Sequence, residues 1–182
     1  MNKKLTILTI FIILCSIIIL GCIDSAQEQE QAQSEIDCPY LKDATISIKI
    51  NNEKVDELNF STILQLEQYE FTATHRSGRR PEPIDYHFQG VTLKSILEYK
   101  EIDLTNKKYT TISAIDGFAF IFEIEEILKN DHMFIVYLKN GKPLGTMEND
   151  GSGPYRLIIP DDRFAMRWVK HISEINIKST LT

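Results

Sequence analysis

Residues 150–175 read DGSGPYRLIIPDDRFAMRWVKHISEI, and this stretch decides the fold. Leu157, Ile158 and Ile159 form a short apolar run that Pro160 ends. Asp161 and Asp162 follow as a polar break, and the run from Ile172 alternates apolar and polar residues. That is a strand, a turn with an irregular segment, and a second strand. Four cations, Arg156, Arg163, Arg167 and Lys170, cluster around Trp168, the only tryptophan of an otherwise acidic chain. Arginines grouped this way can grip an anion, because the guanidinium offers a planar fork of donors. They can equally be solvated or paired with Asp161 and Asp162.

Working outward, the same alternation recurs. ATISIKI (44–50) sets Ile46, Ile48 and Ile50 on one face, and Asn51-Asn52 turns the chain into a returning strand over 55–60. Ser61 reads as the N-cap of a short helix over 62–68. YEFTAT (69–74) and DYHFQG (85–90) read as strands, the second closed by Gly90, with the polar loop HRSGRRPEP between them. VTLKSILEY (91–99) places Leu93, Ile96 and Leu97 on one helical stripe. YTTISAI, the Asp116-Gly117 turn and FAFIF form a hairpin. EIEEILKN (123–130) is a short helix, and MFIVYL (133–138) is apolar throughout, as a central buried strand is. Asn140-Gly141 favours a tight type I′ turn. Eight or nine strands and three short helices in irregular order make an α+β fold with mixed β-sheets, not a β-α-β alternation.

The N-terminal region is organised differently. Lys3 and Lys4 precede an almost wholly apolar run, Leu5 to Leu20, and ILGC follows at 19–22. Residues 1–21 therefore read as a secretory signal, and ILGC resembles a lipobox whose cysteine, Cys22, becomes the lipidated N-terminus. An uncleaved transmembrane anchor is the other reading, since the apolar run has about the length of a bilayer span. Residues 22–38 then form a Gln- and Glu-rich tether, too polar to fold alone. Its reach as a coil is on the order of 20 Å. Both readings place one domain, 39–178, on the extracytoplasmic face of the cell membrane.

The chain of 182 residues carries −6. Without residues 1–21, which hold Lys3 and Lys4 and no acid, 18 basic and 26 acidic side chains remain, a net −8. That balance lacks the basic footprint of a nucleic-acid binder. Cys15 lies in the signal and Cys22 is the lipid site, so Cys38 is the one thiol left to the domain, and no intramolecular disulfide forms. His75, His87, His132 and His171 sit on separate segments without zinc-ligand spacing. No nucleophile-elbow, phosphate-loop or dinucleotide motif occurs.

Four segments carry a resemblance. GVTLKSILEYKEID (90–103) resembles a G-V-x-L-x-x-L-L helix. ISAIDGFAFIFEIEEIL (112–128) resembles an S-x-D-G-Y segment, and FIVYLKNGKPL (134–144) an L-A-x-x-x-N-G-x-P-L segment. The stretch 150–175 resembles G-G-P-x-R-L-V-V-P followed by V-K-W. In this order and spacing they resemble the molybdopterin-binding oxidoreductase domain of the sulfite-oxidase type. The resemblance implies that fold, and implies molybdopterin as the candidate cofactor. It places Arg156 and Arg167 on the cations of the pterin and substrate pocket, with Asp116 at the D-G motif. His75 and Arg76 follow the strand that carries the metal-ligating cysteine in full-length enzymes. Here that strand holds Thr72, Ala73 and Thr74, and no cysteine. A soft thiolate is what such a metal takes.

Two functional readings follow. One is a binding module for a small anion, a pterin-like ligand or a redox partner protein, with no metal ligand and no identified catalytic residue. The alternative is an active molybdopterin-dependent oxidoreductase whose metal has no protein thiolate. A weaker third is an accessory subunit of a membrane redox complex. Arg163 and Lys170 read as structural or solvated charges. The expectation from the motif is that Arg156 and Arg167 frame one pocket beside residues 75–80. The lipid reading has its own test. Mass spectrometry of the mature N-terminus should find a diacylglyceryl group on Cys22, because a single acyl chain anchors only marginally. An unmodified Cys22 or a different start refutes it.

Overall fold

The computed structural model describes residues 38–76, 82–129 and 132–181. The signal, Cys15, Cys22 and most of the tether lie outside them. Among the described residues no helix is long and apolar enough to cross a membrane.

The described chain runs α1 (Pro39–Lys42), β1 (Thr45–Ile50), β2 (Glu53–Asn59), α2 (Phe60–Ile63), β3 (Tyr69–His75), β4 (Ile84–Thr92) and α3 (Leu93–Tyr99). It continues through β5 (Tyr109–Ala114), β6 (Ala119–Glu123), α4 (Ile124–Lys129), β7 (Phe134–Lys139), β8 (Lys142–Pro143), β9 (Arg156–Ile158) and β10 (Ile172–Lys178). One sheet has the order β2-β1-β10-β5-β6. The other has β3-β4-β7-β8, with β9 also paired to β7. All pairings are antiparallel except β1 with β10, which run parallel, Ile48 beside Ile175 and Ile50 beside Ile177. The fold is α+β with two mixed or antiparallel sheets and short helices, as the sequence pattern implied.

The first sheet forms from strict alternation. Ile46, Ile48, Ile112, Ile175 and Ile177 are buried, while Lys49 and Glu174 lie on the opposite face and pair at 2.6 Å. Asn51 and Asn52 adopt positive φ, as the tight turn between β1 and β2 requires. In the second sheet β7 is buried from Phe134 to Leu138 and pairs with β4, β8 and β9. That is the continuous apolar run expected of an interior strand. Tyr155 is fully buried and joins the two sheets. Its hydroxyl donates to the carbonyl of Ala44 at 3.2 Å, and its own carbonyl accepts from the Ile172 amide at 3.0 Å.

Three local expectations shift. The helix after β2 is four residues long and begins at Phe60, because Asn59 caps it, accepting from the Thr62 amide at 2.9 Å. Ser61 donates to that Asn59 carboxamide instead of capping. Gly90 does not end its strand: β4 runs on to Thr92 through a bulge at Gln89/Gly90. A Cβ at residue 90 would lie 2.3 Å from the Ile135 carbonyl oxygen, so glycine is there for the close approach of β4 to β7. Thr92 then caps α3, accepting from the Ser95 amide at 3.0 Å.

Helix α3 buries Leu93, Ile96 and Leu97, and the Leu93 amide donates to Met133 at 2.7 Å, fixing its start against β7. Leu97 is 1% exposed. Leu97→Ala should therefore cost about 2–5 kcal/mol of unfolding free energy by denaturant titration, through lost burial plus a cavity.

Candidate functional site

Antiparallel pairing places Ala73 opposite Tyr86, His75 opposite Ile84, and Phe71 opposite Phe88. Directly paired residues share a sheet face. Phe88 in turn pairs with Lys139 at the end of β7, and Val136 pairs with Arg156 of β9. One end of the second sheet thus gathers His75, Tyr86, Lys139 and Arg156. Trp168 covers them. Its ring lies 6.1 Å from Phe88 and 5.7 Å from His75, both edge-on, and its Nε1–H donates to the Ile159 carbonyl at 3.0 Å.

Arg156 is the unusual member. It is 6% exposed, and its Nε has no partner among the described residues. Its guanidinium lies 5.4 Å from the Trp168 ring centroid, a cation–π distance, and among the described residues no carboxylate pairs with it. Burial pushes its pKa down to about 10, the nearby Tyr86 hydroxyl opposing, so it stays charged at neutral pH. Lys139 sits 4.8 Å over the Tyr86 ring. Partial desolvation lowers the Lys170 ammonium below its ordinary value, and repulsion from Arg156 and Lys139 lowers it further. Only Asp116 opposes that shift. Arg156 and Lys139 therefore lie near enough to Lys170 to influence it, with Arg156 interior and Asp116 the opposing charge. Such a cluster favours a bound anion.

The sequence-predicted residues divide. Arg156 and His75 meet through Trp168. Arg76 is exposed, and its carbonyl accepts from the Ala165 amide at 3.3 Å, which ties the loop after β3 to the segment before Trp168. Arg79 and Arg80 lie outside the described residues. Asp116 accepts from the Phe118 amide at 3.0 Å, so it caps the β5–β6 turn while lying near enough to Lys170 to influence it. The expectation that Arg167 joins Arg156 is corrected. Arg167 Nε donates to Asp162 Oδ2 at 2.9 Å, its Nη2 to Asp162 Oδ1, and its Nη1 to Glu126 at 2.6 Å. Its guanidinium lies over Phe122 instead of Trp168. Those two carboxylates raise its pKa, and the charge is spent in tying the irregular segment to α4.

Lys170 is also corrected, from bystander to member of the cluster. Tyr86 and Lys139 were missed in the sequence. Their signal was present, a lysine closing an apolar run and a tyrosine two residues before Phe88, but only strand register brings them together.

A family model described as the oxidoreductase molybdopterin binding domain matches residues 35–181. The chain belongs to that family. This molybdopterin-binding domain superposes on the sulfane dehydrogenase SoxCD from Paracoccus pantotrophus with a TM-score of 0.63 at 18% identity, covering 77% of this chain and 39% of that one. The fold is therefore of the sulfite-oxidase type, and the chain spans well under half the length of that relative. No curated protein sequence matches it.

The donors present decide how well the domain suits the family's cofactor. The cation cluster suits the phosphate of a pterin or another oxyanion, and the orphaned Arg156 Nε is a donor in want of one. The metal end is different. Strand β3 supplies a buried methyl at Ala73 between two threonines. The one described free thiol, Cys38, precedes α1. No group of three His, Cys, Asp or Glu side chains that could hold a metal ion occurs among the described residues. A metal held by a thiolate from β3 does not fit this chain.

The two arginines give opposite expectations for stability. Arg156→Met removes a buried, unpartnered donor and should leave the melting temperature unchanged or higher. Arg167→Met strands Asp162 and Glu126 and should lower stability by about 1–3 kcal/mol. Thermal denaturation of the two variants side by side checks this.

Proposed function

We propose that the protein is a lipid-anchored, extracytoplasmic molybdopterin-binding-family domain that acts as a binding module. It holds a small oxyanion, or the phosphate of a pterin-like ligand, on Arg156, Lys170 and Lys139. The observation that carries this reading is the Arg156 guanidinium, interior yet without a carboxylate. A buried charge of that kind costs several kcal/mol unless something pairs with it, and an anion entering beside Trp168 supplies the pairing. The tether and Cys22 support the membrane location. The alternative, an oxidoreductase whose metal has no protein thiolate, has family membership in its favour. Molybdenum analysis of protein from its native host separates the two, since stoichiometric metal overturns the binding-module reading.

Calorimetric titration with phosphate, sulfate and sulfite tests the site. At least one should bind, and Arg156→Ala should weaken it about ten- to a hundredfold, the value of one charge-assisted hydrogen bond. Arg167→Ala should leave affinity near the parent value. The pH dependence follows from the direction of the Lys170 shift. The charged ammonium favours the anion, and its folded pKa is below 10.5. Affinity should therefore hold through neutral pH and decline on the alkaline side earlier than a free lysine would allow. Lys170→Met should remove the Lys170 share of that decline and leave the loss that follows Arg156 near pH 10. Absence of binding for all three anions, or equal binding by Arg156→Ala, overturns the proposal.

A further inference from the structure

The two edges of the first sheet are built in opposite ways. Strand β2 carries Glu53, Lys54, Asp56 and Glu57. Lys54 pairs with Glu57, and Lys100 pairs with Asp56 while donating to the Glu57 carbonyl at 2.9 Å. Charge on an edge, and a lysine occupying its carbonyl, prevent another strand from adding there. Strand β6 carries a single charge, Glu123 at its end, and no side chain is recorded on its backbone among the described residues. It reads AFIFE, with Ile121 49% exposed. The tip that leads into it exposes Ile115 at 62% and Phe118 at 47%. Among the described residues, its backbone pairs only with β5.

We propose that the β6 edge pairs with the β6 edge of a second copy of this chain, antiparallel and centred on Ile121. The strand's own register favours a second copy over an unrelated partner. A two-fold pairing about residue 121 sets Ile121 against Ile121, Phe120 against Phe122, and Glu123 against Ala119. Apolar residues then meet apolar residues, and no like charges oppose one another. The same line, carried past the strand, brings the second copy's hairpin tip to a depression of about 250 Å³ lined by Lys107, Lys108, Tyr109, Glu123, Ile124 and Glu125. Phe118 of that tip meets Ile124 and Tyr109. The exposed apolar tip and the depression are therefore the two halves of one repeated contact.

A five-residue pairing with two flanking contacts belongs to the small class of interfaces, below about 1,200 Å², so the dimer is concentration-dependent. Direct pairing places the two residue-121 Cα atoms about 4.5–5.5 Å apart, within disulfide reach. The test uses the full-length chain carrying Cys38→Ser, with Ile121→Cys or Val55→Cys added, oxidised in membranes. Val55 is 51% exposed on the charged β2 edge, and Cys15 and Cys22 are common to both variants. A covalent homodimer from Ile121→Cys and none from Val55→Cys is expected. In sedimentation of the full chain in detergent, Ile121→Lys should shift the dimer to monomer by at least tenfold in dissociation constant, with an unchanged circular dichroism spectrum. No cross-link at residue 121, equal cross-linking at 55, a cross-link to a different protein, or a monomer at every concentration of the unaltered chain overturns the proposal.

Discussion

A guanidinium held in the interior, with no carboxylate beside it among the described residues, sets the terms for the residues around it. Arg156 can be buried only because its surroundings are polarisable and shaped to it. The Trp168 face lies at 5.4 Å, and the indole is pinned by its bond to the Ile159 carbonyl. Tyr86 stands near enough to stabilise the charge. Trp168 in turn requires Phe88 and His75 beneath it, and these sit where β3 and β4 put them only if the register around Gly90 is kept. The close approach of β4 to β7 at Gly90, the short strand β9 and the irregular segment to Trp168 all serve one placement. Arg167 shows the contrast. Two carboxylates satisfy it, and it works as a clamp between the irregular segment and α4.

Most of the fold was legible because its signals are local. Asn51-Asn52, Asp116-Gly117 and Asn140-Gly141 mark hairpins through the positive φ they tolerate, and the isoleucine alternation of β1 and β10 marks a half-buried sheet. The local misreadings arose where two residues competed for one role. Asn59 and Ser61 are both good caps, and the choice between them depends on where β2 stops pairing with β1. Gly90 reads as a terminator until the close approach of β7 supplies another reason for a missing Cβ. The site was less legible because pairing is not local. Nothing near Arg167 in sequence reveals Glu126, which is 41 residues away. Lys139 and Tyr86 converge only through the register of β4 and β7.

In this chain the family framework stands without a thiolate on β3. The four motif segments build the sheet framework, and the framework is retained at 18% identity to the sulfane dehydrogenase. Strand β3, which pairs in full register with β4 from Tyr69 to His75, holds its geometry with Ala73 at its most buried position. The scaffold thus does not depend on a ligating side chain there, as expected when function is grafted on a fold whose stability comes from elsewhere.

What remains is why a marginally stable domain tolerates Arg156. Removing the charge costs the core little, since no partner is left stranded, and a methionine would fill the same space. A group that lowers stability without a structural return is characteristic of binding sites, where destabilising features are kept for what they contact. Linkage closes the argument. An anion that binds only the folded state adds stability that grows with the logarithm of its concentration over Kd. In the proposed site, the charge that costs stability when unpaired returns it when an anion pairs with it. Arg167 follows no such cycle, because its partners are covalently part of the chain and always present. The proposed difference between the two arginines is therefore the supply of the counter-charge, built in for Arg167 and external for Arg156.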